Sequence, residues 1–197
     1  MAPPTVWTSR RKIMGNLVPA LFWLPFAVSG LAWMAVKSEV LGGGLALLVT
    51  GTVVGWFALN RFGLFENRRM RAQLERILHA NGETLAGEKW FVGFATPRYS
   101  STVDPHEDIG FLEVTDDRLR FLSESRTVEV LRADVSEVRF RANVHSLLGL
   151  GRWVSVEGKV GEKPIRLMVE PRELPTLLGN RREGARLRTR LRSWAAK

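Results

Sequence analysis

IMGNLVPALFWLPFAVSGLAWMAV, residues 13–36, and VLGGGLALLVTGTVVGWFALN, residues 40–60, contain no charged side chain between them. A bilayer core of roughly 30 Å takes about 20 apolar residues in a helix. Both stretches reach that length. Backbone amides in lipid must bond within their own segment, so both are expected to be helical. A cleavable leader fits poorly, because the first run exceeds the roughly 7–15 apolar residues of a signal core. No small-x-small site follows it before Lys37, and the second span begins almost at once. Neither span carries the ionisable side chain that proton relays and transporters need, so the pair reads as an anchor.

Charge around the spans sets their direction. Arg10, Arg11 and Lys12 precede the first, Arg61, Arg68, Arg69 and Arg71 follow the second, and Lys37 beside Glu39 is all that the short connection carries. Positive charge stays on the cytoplasmic side, so both termini and the soluble domain are expected there. Gly44, Gly51 and Gly55 form a small-residue stripe on the second span. Such a stripe admits another helix closely, either the first span or a second copy in a homo-oligomer. Pro19 and Pro25 are expected to kink or tilt the first helix. Trp7, Trp33 and Trp56 fall near the span ends, where amphipathic rings favour the interface. Trp23 lies nearer mid-span.

The 197 residues thus divide into a segment 1–12, two transmembrane helices (13–36 and 40–60), a connector 61–86 and a domain 87–197. Formal net charge is +9, which favours anionic partners. Cysteine is absent, which excludes disulfides, thiolate nucleophiles and Cys-bound metals. In the connector, Met70, Leu74, Ile77 and Leu78 share one helical face, with Arg68, Arg69, Arg71 and Arg76 over much of the rest. Asn81-Gly82 supplies a stop. One face suits packing on the domain, the other an anionic leaflet.

From Lys89 the period changes from 3.6 to 2. Strands are expected at 90–95, 109–115, 118–123, 126–132, 135–141, 153–157 and 164–169, each burying one face as in an antiparallel meander. A terminal helical region from Pro171 offers Leu174, Leu177 and Leu178 as one apolar group. Leu187, Leu191 and Trp194 form a second, after a break at Gly179 and Gly184.

The run GFLEVTDDRLRFL, residues 110–122, carries Gly110, Leu112, Val114, Thr115, Arg118, Leu119 and Phe121 at the spacing of a strand pair in GRAM and bacterial PH-like domains. VEVLRADVSEV, residues 128–138, follows as such domains have it. The chain from about Lys89 to Trp194 resembles that family. The resemblance implies a PH-like, seven-stranded open barrel of two nearly orthogonal sheets, capped by the C-terminal helix. It also implies the bacterial cytoplasmic membrane, since PH-like domains of bacterial membrane proteins are often joined to helix pairs. The inositide site is not carried over. Lys89 and Arg118-x-Arg120 lie far apart along the chain, with Asp104, Glu107 and Asp108 between them.

Catalysis has little to rest on. His79 falls on the connector surface, and His145 has no acidic neighbour in its own loop. Ser100, Ser101, Asp104, His106, Glu107 and Asp108 form a polar run whose expected state is a solvated loop, because a triad or metal site needs convergence in space. No catalytic residue, cofactor or metal is therefore assigned. The basic tract Arg181, Arg182, Arg186, Arg188, Arg190 and Arg192 is expected to contact an anionic leaflet or partner. Nucleic acid suits a bilayer-tethered chain less well. The sequence thus points to a membrane-tethered adaptor for a protein partner or anionic lipid, with a structural subunit of a larger membrane complex as the alternative. A third alternative is an enzyme using the 100–108 loop.

Overall fold

A computed structural model describes residues 5–36, 41–99 and 104–196. Two long helices come first, α1 (Ser9–Val36) and α2 (Leu41–Phe62). At about 1.5 Å per residue, their 28 and 22 residues span roughly 42 and 33 Å, enough to cross a bilayer core. Leu21, Phe22, Val28, Leu31, Val49 and Phe57 stand exposed along them, so the pair presents an apolar outer surface. The proline pair lies inside an unbroken α1. The turn expected at Lys37–Glu39 lies outside the described residues.

The glycine stripe is taken up within the chain. A Cβ on Gly51 would meet Cβ of Phe26 at 2.5 Å, one on Gly55 would meet Cβ of Trp23 at 2.9 Å, and one on Gly44 would overlap Met34. All three partners belong to α1, so the stripe serves the close approach of the two helices.

After a turn, α3 (Asn67–Ala80) leaves α2 and buries Met70, Leu74 and Leu78. Seven strands follow, β1 (Glu88–Ala95), β2 (Asp108–Val114), β3 (Arg118–Ser123), β4 (Thr127–Leu131), β5 (Val135–Arg141), β6 (Trp153–Val160) and β7 (Lys163–Pro171). A four-residue α4 (Val144–Leu147) precedes β6, and α5 (Leu177–Ala195) ends the chain. All strand pairs are antiparallel, in the order β4-β3-β2-β1-β7-β6-β5. The expectation of two sheets is corrected: β1 pairs with β2 over Glu88–Phe94 and with β7 over Val92–Ala95, so one strand joins both halves into a single open sheet.

The sheet curls around one core to which every strand contributes, and α5 fills its mouth with Leu187, Leu191 and Trp194. The Trp194 indole N–H donates to the Thr115 carbonyl at 2.6 Å. The break expected at Gly179 and Gly184 is absent. Thr176 caps α5, which runs through both glycines. Leu174 stays exposed, and Leu177 packs with Leu64 and Leu150 beneath the end of α2.

One buried face per strand does not hold for β1 to β3. All of β2 is buried. Its inner face meets the core, while its outer face, with Phe91, Ile109, Phe111 and Leu122, is covered by α3 and by Val6 and Trp7. Trp7 is therefore part of the domain's packing and not of an interfacial belt. The spacing of Thr115 and Arg118 has a local cause. Thr115 N–H donates to the Arg118 carbonyl at 3.0 Å, and the Thr115 hydroxyl accepts from Arg118 N–H at 3.3 Å, closing the β2–β3 turn.

Candidate functional site

The end of β7 carries Glu170-Pro171-Arg172 into the space between the sheet and the domain-side ends of α1 and α2. Glu170 is 4% exposed and Arg172 3%. Three segments meet them there: the loop before β2 brings Asp104 and His106, α4 brings Asn143 and His145, and the start of α3 brings Asn67. His106 is 1% exposed, with Nδ1 2.8 Å from Asp104 Oδ1 and Nε2 3.1 Å from Glu170 Oε2. The same Glu170 oxygen lies 3.2 Å from His145 Nδ1 and accepts from the Asn143 amide at 2.9 Å. Glu170 Oε1 accepts from Arg152 N–H at 3.1 Å. Arg172 donates to Asn67 Oδ1 at 3.0 Å and lies 4.8 Å from the Trp7 ring centroid.

Two glycines make room for this cluster. A Cβ on Gly93 would overlap the His106 ring, and one on Gly151 would overlap the Glu170 carboxylate. Burial works against charge on every member. Burial opposes ionisation of Asp104 and Glu170, yet His106, His145 and Arg172 outweigh it and hold both carboxyls below their usual range. Burial likewise opposes the imidazolium, yet Asp104 and Glu170 raise the His106 pKa above its ordinary value. Burial lowers Arg172, with Asp104 and Glu170 resisting. With His106 protonated, two carboxylates face two cations, and this pairing offsets part of the cost of holding the charges out of water.

Two expectations are corrected here. The 96–108 run is not simply solvated. Asp104, His106 and Asp108 are buried, while Ser100 and Ser101 lie outside the described residues. His145 does have an acidic partner, supplied by a strand 25 positions away. The network binds the N-terminal segment as well. The Trp7 indole donates to the His106 carbonyl at 3.1 Å, Lys12 Nζ to the Glu107 carbonyl at 3.2 Å, and Thr5 and Val6 N–H to Glu124. On the α2 side, Asn60 Oδ1 accepts from Leu178 N–H at 2.9 Å and the Trp56 indole donates to the Leu148 carbonyl at 3.0 Å. The N-terminal segment and the domain thus sit at the same end of the helix pair.

Chemistry is constrained by how fully these groups engage one another. The voids beside the cluster are about 10 Å³ each, room for about one water. Among the described residues no set of three His, Asp or Glu is arranged to hold a metal ion.

A second feature is open. A cleft of about 630 Å³ runs over the outer face of β5–β7, between Tyr99 and Pro105 on one side and Arg139, Arg141 and Arg166 on the other. All three arginines converge on Glu157, at 2.9, 2.5 and 3.4 Å, and hydrogen bonds from Arg141 and then Arg139 hold its carboxyl well below the usual range. Glu137 also pairs with Arg139, at 3.4 Å.

The basic residues singled out in the sequence separate. Arg68, Arg69, Arg182, Arg186 and Arg192 are exposed. Arg71 is paired with Glu173 and lies 3.6 Å from Glu75, Arg186 pairs with Glu183, and Arg190 with Glu88. Arg181 donates to the Gly149 carbonyl, and Arg188 lies over Phe140. Lys89 and Arg120 are closer than their sequence separation suggests, because register sets both opposite Glu113. Even so, Lys89 pairs with Glu75, Arg118 with Glu129 and Arg120 with Glu113, so these cations are already neutralised.

Compared with known proteins, the sequence matched no protein family and no curated protein.

Proposed function

We propose that this chain is a membrane-tethered adaptor whose PH-like domain sits at the cytoplasmic face and receives an acidic segment of a protein partner. The PH-like reading is supported by seven antiparallel strands followed by a helix that fills the mouth of the curled sheet. Tethering is supported by two helices of spanning length with apolar outer surfaces. The positive residues at Arg10–Lys12 and Arg61–Arg71 favour the cytoplasmic side for the domain end of the pair, and the resemblance to PH-like domains of bacterial membrane proteins favours a bacterial inner membrane.

The observation that carries the adaptor reading is the cleft over β5–β7. Three arginines that line it share Glu157, and Arg139 also pairs with Glu137, so positive charge remains in excess beside Tyr99, Phe140 and Trp153. Charge complementarity and aromatic surface together suit an acidic peptide. A structural-subunit role uses the same seat on the helix pair. A catalytic role has less behind it, because the buried His106–Glu170 cluster has no room for a substrate.

The test is recovery of partners from native membranes by the full-length chain and by Arg141→Glu/Arg166→Glu. A partner held by the first and lost by the second supports the cleft. Equal recovery by both contradicts it.

A further inference from the structure

Arginine normally finds a carboxylate. Along α5, Arg186 and Arg190 do, but among the described residues Arg181 and Arg188 form no ion pair, nor does Arg152 at the start of β6. Arg152 and Arg188 share the Phe140 ring, and Arg181 is near enough to act on Arg152 electrostatically. Arg152 and Arg188 lie 3.4 and 4.4 Å from the Phe140 ring centroid, and burial together with Arg181 and Arg188 lowers the Arg152 pKa. Arg152 Nε is buried with no hydrogen-bond partner. An unpaired cationic cluster with an orphaned donor costs free energy that an anion would relieve.

The same place touches the helix pair. Arg181 donates to the Gly149 carbonyl, and the next residue back, Leu148, reaches a groove of about 320 Å³ between α1 and α2. Pro19, Ala20, Trp23, Thr52 and Trp56 line this groove, whose wall is largely apolar. Leu147 is 85% exposed and Leu148 48%, side by side at the end of α4. Leucines bared to water beside an apolar groove suit the bilayer interface.

We propose that this corner holds one anionic phospholipid, with an acyl chain along the α1–α2 groove and its headgroup phosphate on Arg181 and Arg152. The site rests on the reading that the helix pair spans a bilayer. Phe140 borders both this corner and the β5–β7 cleft, but their arginines differ, so substitutions at Arg141 and Arg166 test the cleft alone. Arg188 stands about two helical turns beyond Arg181, roughly 10 Å, and adds long-range attraction. A zwitterionic headgroup carries its own cation and gains less from the cluster.

The experiment uses the full-length chain in mild detergent and counts bound lipid by native mass spectrometry. Phosphatidylglycerol and phosphatidylcholine of matched acyl chains are the probes, with inorganic phosphate as a third arm. Phosphatidylglycerol is expected to be retained about tenfold better than phosphatidylcholine, as two arginines at a headgroup allow. Arg152→Met/Arg181→Met should reduce that preference to below about twofold. Ala20→Phe should weaken both lipids together by filling the groove. Arg181→Met alone, at an exposed position, decides the matter should the double variant fail to fold.

Equal retention of the two lipids by the wild type, or an unchanged preference in the Arg181 variant, overturns the proposal. Binding of inorganic phosphate with no lipid preference also overturns it, in favour of a soluble anion. Alkaline carbonate extraction separates the two levels. Release of the chain from membranes overturns the spanning reading and this site with it, whereas retention with equal lipid binding overturns the site alone.

Discussion

Glu170→Gln should unseat the buried cluster while changing side-chain volume little. Glu170 accepts from Asn143 at 2.9 Å and from Arg152 N–H at 3.1 Å, and its Oε2 lies 3.1 Å from His106 Nε2 and 3.2 Å from His145 Nδ1. A glutamine keeps one acceptor oxygen and turns the other position into a donor. If its oxygen stays toward the histidines, its amide N–H meets Arg152 N–H, and one buried donor is orphaned at about 1–3 kcal/mol. Of the two carboxylates that raise the His106 pKa, one is lost in the same step. Removing one member of a buried ionic set costs about 3–5 kcal/mol, and a cost near 3 would lower Tm by about 6–12 °C for a chain of this size. Thermal unfolding of the detergent-solubilised protein, followed by tryptophan fluorescence, reads this directly because Trp7 and Trp153 lie 6.4 and 5.3 Å from the His106 ring. Asp117→Asn, at an exposed and solvent-screened ion pair with Arg118, is the control and should leave Tm almost unchanged. A Glu170→Gln shift no larger than that of the control would show that the cluster does not hold the domain to its seat.

The pH profile carries a sign. The His106 pKa is raised, so the stability it contributes is complete below its ordinary value of about 6.5 and is lost as pH rises through the folded value. Asp104 and Glu170 are lowered, so theirs is complete above about 4.5 and is lost as pH falls through the depressed values. Tm measured across pH should therefore be highest between those limits and should fall toward alkaline pH, a fall that Glu170→Gln flattens. Gly93→Ala, whose Cβ would overlap the His106 ring, should cost about 1–3 kcal/mol by chemical denaturation, and more than Gly82→Ala despite the positive φ of Gly82. Trp7→Ala empties a buried ring site over Arg172 and should cost about 3 kcal/mol, which a denaturation midpoint would register.

Much of the fold lies open in the sequence because period and length are local properties. Strands 118–123 and 135–141 end where alternation ends, and the charge-free runs mark both long helices. Burial of both faces of β1 to β3 has a sequence trace as well. Phe91 and Phe111 interrupt strict alternation with large apolar groups on the outward face, as a strand covered on both sides requires. What covers them, α3 and Trp7, is a tertiary matter that no local pattern states. The ionic cluster is less legible still. Glu170 falls at an outward position of β7 next to Pro171 and reads as a surface acid, while its partners His106 and His145 lie 64 and 25 residues away. Gly93 and Gly151, which in sequence weaken strands or mark loops, are where those side chains enter.

The absence of cysteine permits one decisive measurement. Single cysteines placed at Thr5, Ser38 and Arg182 of the full-length chain can be challenged with a membrane-impermeant maleimide in sealed right-side-out vesicles. A tethered domain seated beside its own N-terminal segment on the inner side predicts labelling at 38 alone, with 5 and 182 reacting only after the vesicles are opened. Equal labelling at all three positions in sealed vesicles, or labelling at 5 and 182 but not at 38, would contradict it.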